Sequence, residues 1–162
     1  MFIRSATRVA RPLARYALAR TYATEATPGA GKLLLNFSAP HQTYLRNIEV
    51  QQVNLSSTDG DMGILADHVP TIAELKPGVI EIFSSSDKPK KFFVSGGFAS
   101  INPDSTLNIN AVEAFALEDV DFDAARRALD DANRRSNTGT DLEKVTAKVE
   151  AEVYEALLAA QK

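Results

Sequence analysis

Asp67 and His68 are neighbours, and together with His41 they are the side chains in this 162-residue sequence best suited to moving a proton. A catalytic dyad also needs something to act on. The sequence has no cysteine to serve as nucleophile and no Gly-x-Ser-x-Gly turn. His41 and His68 lack the spacing of a paired metal ligand. His68 therefore reads as a loop histidine that forms a hydrogen bond or touches a partner. The glycine-bearing stretches Gly60-Asp61-Met62-Gly63 and Gly96-Gly97 carry no Lys-Ser/Thr and do not join a strand to a helix, so they are not phosphate cradles. Arg126, Arg127, Arg134 and Arg135 have the charge to hold a phosphate. Asp123, Asp130 and Asp131 lie three or four residues away, the spacing of ion pairs on a solvated helix. The residues point to a scaffold with surfaces, with no catalytic group, no metal set and no cofactor site.

The charge is unevenly placed. Arg4, Arg8, Arg11, Arg15 and Arg20 precede Glu25, the first acid. Apolar, serine and threonine residues lie between the arginines, the composition of a mitochondrial transit peptide over residues 1–22, with cleavage expected between Tyr22 and Ala23. Removing those five arginines reduces the 18 bases to 13, against 21 acids, so the mature chain is acidic. That argues against nucleic acid, whose phosphates require clustered Lys and Arg. No apolar run approaches the roughly 20 residues of a membrane-spanning helix.

Residues 23–32 read as a flexible leader, rich in small residues and Gly. From 33 to 112 the apolar residues recur in short runs separated by turn signals, the pattern of an all-β sandwich or barrel. Residues 33–37 form one strand candidate. The alternation of Ile48 and Val50 slips before Val53 and Leu55, marking a bulge or two short strands. Asp59-Gly60-Asp61 with Gly63 reads as a turn, and Pro77-Gly78 as a type II turn. Residues 79–83 and 91–95 make a hairpin, and Leu107, Ile109 and Ala111 alternate with Asn108 and Asn110.

The period changes after Glu113, and 113–162 reads as a helical hairpin. Phe122, Ala125, Leu129 and Ala132 share a helical face that starts at Asp121 as N-cap. Ser136 to Gly139 end that helix. Thr140 and Glu143 have capping-box spacing, and Leu142, Val145, Val149, Val153, Ala156 and Ala160 form a second stripe, expected to face the first. Leu117, Tyr154, Leu157 and Leu158 lie partly off these stripes. Ile80, Ile82, Phe83, Phe92 and Val94 belong to strands apolar on both faces, whereas a two-layer sandwich buries one face of each sheet. The hairpin or another subunit must cover the second face.

Two blocks then resemble a known family. Gly60-Asp61-Met62-Gly63-Ile64-Leu65-Ala66-Asp67-His68-Val69-Pro70 runs on to Leu75-Lys76-Pro77-Gly78-Val79-Ile80. Phe93-Val94-Ser95-Gly96-Gly97-Phe98 precedes Ala111-Val112-Glu113-Ala114. Both are similar to the signature of the delta/epsilon chain of rotary ATP synthases, epsilon in bacteria and chloroplasts and delta in mitochondria, with the fungal mitochondrial branch nearest. The resemblance spans about residues 33–162. It implies a sandwich of about ten strands followed by the hairpin, placed at the foot of the central stalk on the matrix side of the inner membrane. It also implies binding to the gamma subunit, the small mitochondrial epsilon subunit and the c-subunit ring, peripheral to the membrane, as a non-catalytic coupling between ring and gamma. Asp61, Met62, Gly63 and His68 fall on family positions near the polar loops of the ring. Ile80, Ile82, Phe83, Phe92 and Val94 are the residues expected to meet gamma and epsilon. Some bacterial members sense ATP through Ile/Leu-Asp-x-x-Arg-Ala. This chain keeps Asp123 and Arg126, but Phe122 and Arg127 break the motif. The alternative reading is a nucleotide-sensing module acting through the hairpin.

Overall fold

A computed structural model describes residues 31–85 and 88–161; the expected transit peptide, its cleavage between Tyr22 and Ala23, and leader residues 23–30 lie outside them. Ten strands come first: β1 (Leu33–Ala39), β2 (Gln42–Val50), β3 (Gln52–Ser57), β4 (Gly60–Leu65), β5 (Thr71–Leu75), β6 (Gly78–Phe83), β7 (Lys90–Val94), β8 (Gly97–Ile101), β9 (Thr106–Ala111) and β10 (Ala114–Ala116). A 3-10 turn (Leu117–Asp119) leads to α1 (Phe122–Arg135) and α2 (Asp141–Ala159).

The strands hydrogen-bond in the order β10-β7-β6-β3-β5-β8-β9-β1-β2, with β4 beside β3. β3 and β5 meet through one residue pair, Ser57 and Leu75. There the sheet folds over, so β10-β7-β6-β3-β4 lies against β5-β8-β9-β1-β2. Leu33, Leu35, Phe37, Leu107 and Ile109 from one layer pack with Val53, Leu55, Ile80, Ile82 and Val94 from the other. Each large apolar side chain so buried contributes about 1.5–3 kcal/mol. β1 and β9 run parallel, with Leu35 opposite Leu107 and Phe37 opposite Ile109. The slip between Val50 and Val53 is the second corner: Gln51 lies between β2 and β3, and its N–H donates to the Phe83 carbonyl at 2.8 Å.

Three local expectations change. Gly63 lies inside β4, paired with Asn54, so the turn is confined to the residues before Gly60. Gly78 opens β6 without the positive φ of a type II turn. Its smallness serves a close approach instead, because a Cβ there would lie 3.2 Å from the Ser56 Cβ. β10 extends the sheet past residue 112, pairing Ala114 to Ala116 with β7, and the first helix begins only at Phe122. Three residues of small–aromatic–small pattern are too few to show a period.

The hairpin forms as its capping residues dictate. Asp121 accepts from the backbone N–H groups of Asp123 and Ala124 at 3.0 and 2.9 Å. Thr140 and Glu143 form a reciprocal capping box. Ala125 and Ala132 are the buried residues of α1, and Ala147, Ala151 and Leu157 those of α2. Phe93, Val79 and Leu117 pack with Ala125, Val153, Tyr154, Leu157 and Leu158. The hairpin therefore covers the second face of β6 and β7.

Candidate functional site

Strand polarity decides what each expected contact residue can reach. Ile80, Ile82 and Val94 point between the layers and are 1%, 2% and 2% exposed. They are core residues of this chain, at positions where the sequence predicts contact residues. Phe92 is half-buried, its ring 5.3 Å from that of Phe37 and 5.6 Å from that of Tyr44. Phe83 is half-buried at the end of β6. The opposite sides of these strands carry Val79 and Phe93, and the chain's own hairpin takes them. The doubly apolar pattern thus arises from two intramolecular layers.

Asp61, Met62, Gly63 and His68 lie on and after β4, an edge strand whose partner is β3. Asp61, Gly63 and Leu65 are exposed, while Ile64 is buried and Met62 packs against the core. Ser56 donates its hydroxyl to Asp61 Oδ1 at 2.8 Å, and Lys76 Nζ lies 4.0 Å from the same oxygen. His68 follows the other end of the strand, half-exposed, with Nδ1 2.8 Å from the Val69 carbonyl oxygen. At about 3.3 Å per residue the strand separates Asp61 from His68 beyond any direct contact. The four residues form a strip along one edge and do not converge as an acid–base site would.

Sequence reasoning passed over Ser105. Its hydroxyl accepts from the Asp67 N–H at 2.9 Å and donates to Asp67 Oδ1 at 3.0 Å. Both residues have left-handed backbone, with φ of 60° and 59°. Ser105 lies in the turn between β8 and β9, and no spacing rule links that turn to Asp67, 38 positions away.

Other surfaces remain open. On the outer side of β5 and β8, Ile72 is 78% and Phe98 56% exposed. On α2, Leu142, Val145 and Val149 are 77%, 58% and 57% exposed. The stripe expected to face α1 is therefore turned away from it. Ala147 and Ala151 face α1, and the stripe is covered only at its C-terminal end, around Val153 and Ala156. Leu117, Tyr154, Leu157 and Leu158, which lie partly off the stripes, are the ones that dock the hairpin.

The charged groups serve structure. Arg126 pairs with Asp123 Oδ1 at 2.7 Å and donates to the Gln161 side chain at 2.7 Å. Arg135 bridges Asp131 and Glu150, tying the helices together. Lys91 holds the Glu81 carboxyl below the usual range, at 2.8 Å. The Thr140 backbone N–H, with its hydroxyl, does the same for Glu143. Among the described residues no three His, Asp or Glu side chains gather as a metal site requires, and no helix is long and apolar enough to cross a membrane.

A folded-over ten-stranded sheet with a helical hairpin on one outer face, and no convergent polar centre among the described residues, defines a β-sandwich-plus-hairpin chain. Residues 32–116 match the family described as ATP synthase, Delta/Epsilon chain, beta-sandwich domain. The chain belongs to the ATP synthase delta/epsilon family. It is 48% identical over 143 residues to the mitochondrial ATP synthase subunit delta of Kluyveromyces lactis, covering 88% of this chain and 87% of that one. It is 43% identical over 148 residues to the mitochondrial subunit delta of Yarrowia lipolytica, covering 91% and 90%. A chain of the Euglena gracilis mitochondrial ATP synthase OSCP/F1/c-ring assembly superposes with a TM-score of 0.77 at 29% identity, covering 81% of this chain and 82% of that one.

Proposed function

We propose that this protein is a rotor subunit of a mitochondrial F-type ATP synthase, located on the matrix side of the inner membrane. It clamps the c-subunit ring to the gamma subunit and carries no reaction of its own. The relatives named above supply the setting. The observation that carries the mechanical reading is the apolar surface left bare while every strongly buried side chain is already used within the fold. Leu142, Val145 and Val149, with Ile72 and Phe98, are too many large apolar groups for a chain that needs no neighbours.

The β4 edge, from Asp61 through Gly63 to the His68 loop, lies along the ring. The outer face of β5 and β8 and the free stripe of α2 meet gamma and the small epsilon subunit. Proton flow turns the ring, and this chain passes the torque to gamma by stiffness, because paired apolar surfaces resist shear without consuming a ligand. A nucleotide-sensing role is disfavoured by the engagement of Arg126 with both Asp123 and Gln161.

The test is the recovery of assembled ATP synthase through a tagged copy of the chain. Leu142→Asp with Val149→Asp leaves the purified chain folded and lowers recovery of gamma and epsilon at least about tenfold, the effect of desolvating two unpaired carboxylates. Recovery at the wild-type level with both substitutions present overturns the reading.

A further inference from the structure

Two loops converge beside the end of β4, and their contact is more specific than a turn requires. Asp67 and Ser105 are both non-glycine residues with left-handed backbone, at φ 59° and 60°. Such conformations are strained for residues with a side chain and persist only where their surroundings fix them. Here each fixes the other. The Ser105 hydroxyl oxygen accepts the Asp67 N–H at 2.9 Å, and the hydroxyl proton goes to Asp67 Oδ1 at 3.0 Å. Ser105 is only 7% exposed, and its backbone is also engaged. Its carbonyl accepts from the Leu34 N–H at 3.0 Å, and its N–H donates to the Asn102 carbonyl at 3.2 Å. One small residue thus joins β1, the β8–β9 turn and the loop after β4.

That loop carries an exposed apolar tip. Val69 is 72% exposed. Its carbonyl is held by the Thr71 hydroxyl at 2.9 Å and lies 2.8 Å from His68 Nδ1. Loops of this kind move unless tied down. The tie here is the serine, buried in the β8–β9 turn while the tip is exposed.

We infer that Ser105, through Asp67, is the positioning residue that holds the His68-Val69-Pro70 tip rigid for docking on the partner ring. This inference rests on the ring-facing reading of the β4 edge. A rotor contact needs the tip in one place, because a loop ordered only on binding would spend interface energy on its own ordering.

Three variants separate pinning from backbone strain. Ser105→Gly removes the hydroxyl and relieves the left-handed strain. Ser105→Ala removes the hydroxyl alone. Asp67→Asn keeps an acceptor and tolerates the left-handed region. Hydrogen exchange of the Asp67 amide in the full chain, and recovery of detergent-solubilised c-subunit ring by the assembled complex, are the two readouts. In both serine variants the amide exchanges at least about tenfold faster and ring recovery falls, with Ser105→Gly retaining the wild-type melting temperature. Asp67→Asn stays near wild type in both. Unchanged exchange in Ser105→Gly, or faster exchange with full ring recovery, overturns the inference. Val69→Asp is the control for the underlying reading. If it lowers recovery while the serine variants do not, only the pin has failed. If it too leaves recovery unchanged, the ring-facing assignment and the inference fail together.

Discussion

Glu143 shows how much a single side chain does at a helix start. Its carboxylate accepts from the Thr140 N–H at 2.7 Å and from the Thr140 hydroxyl at 2.8 Å, while its own N–H faces the Thr140 oxygen. These donors favour the charged form and lower its pKa below the ordinary 4.5. A depressed folded-state pKa means that the contribution to stability is present above 4.5 and fades as the pH falls through the lower, folded value. The first turn of α2 should therefore loosen below that point. Helical content of the wild type and Glu143→Gln, compared at about pH 6 and about pH 3.5, checks it: the glutamine variant, which still caps, should lose the acid-dependent part of the change. Equal acid sensitivity in the two proteins would discard the capping account. This box was fully legible in the sequence, because both partners lie within three residues. The Asp67–Ser105 contact was not, because its chemistry depends on two loops meeting across the fold. The interior residues Ile80, Ile82 and Val94 were legible as apolar. Their destination was not, because alternation gives two faces and does not say which one the chain itself will cover.

At the scale of elements, the length of α2 sets the surface. Its 19 residues span about 28 Å at about 1.5 Å each, whereas the six-residue β6 beneath it spans about 20 Å. The C-terminal half of the helix rests on the sheet through Val153, Tyr154, Leu157 and Leu158, and the half with Leu142, Val145 and Val149 projects beyond it. The sequence stripe is continuous, which predicts that all of it faces α1. Ala147 and Ala151 take that role because a methyl group permits the closest approach of two helix axes. The two halves should respond differently to truncation. Leu157→Ala, at 6% exposure beside Phe93, should cost the isolated chain about 2–4 kcal/mol and loosen the hairpin from the sandwich. Leu142→Ala, in solvent, should change stability by no more than about 0.5 kcal/mol. Urea unfolding followed by far-ultraviolet circular dichroism measures both, and similar losses for the two would mean that the free half of α2 is packed against the rest of the chain.

For the whole molecule, the decisive contrast is between apolar groups that serve the fold and apolar groups that do not. The corner at Ser57 and Leu75 brings ten strands into two layers, and the hairpin closes one outer face over Phe93 and Val79. Among the described residues, nothing covers the opposite outer face in the same way. There Asn36 and Asn108 join their side chains at 2.9 Å, and Ser38 and Asn110 at 3.0 Å, a polar ladder that suits water. Ile72 and Phe98 break that ladder on adjacent strands: Ile72 pairs with Ser100 while Glu74 pairs with Phe98, which sets the two apolar side chains diagonally on one face. A diagonal pair of this kind gains little from itself in water. Replacing both with Asp should leave thermal stability within a few degrees of wild type, because neither side chain is part of the core. The same change should sharply reduce recovery of gamma with the tagged chain, since two carboxylates would then face an apolar partner without compensation. Ile80→Asp gives the reference point: a charge between the layers should unfold the sandwich and abolish recovery through loss of the chain itself. A stable Ile72→Asp, Phe98→Asp protein that still brings down gamma at the wild-type level would move the gamma contact off this face and leave the α2 stripe to carry it.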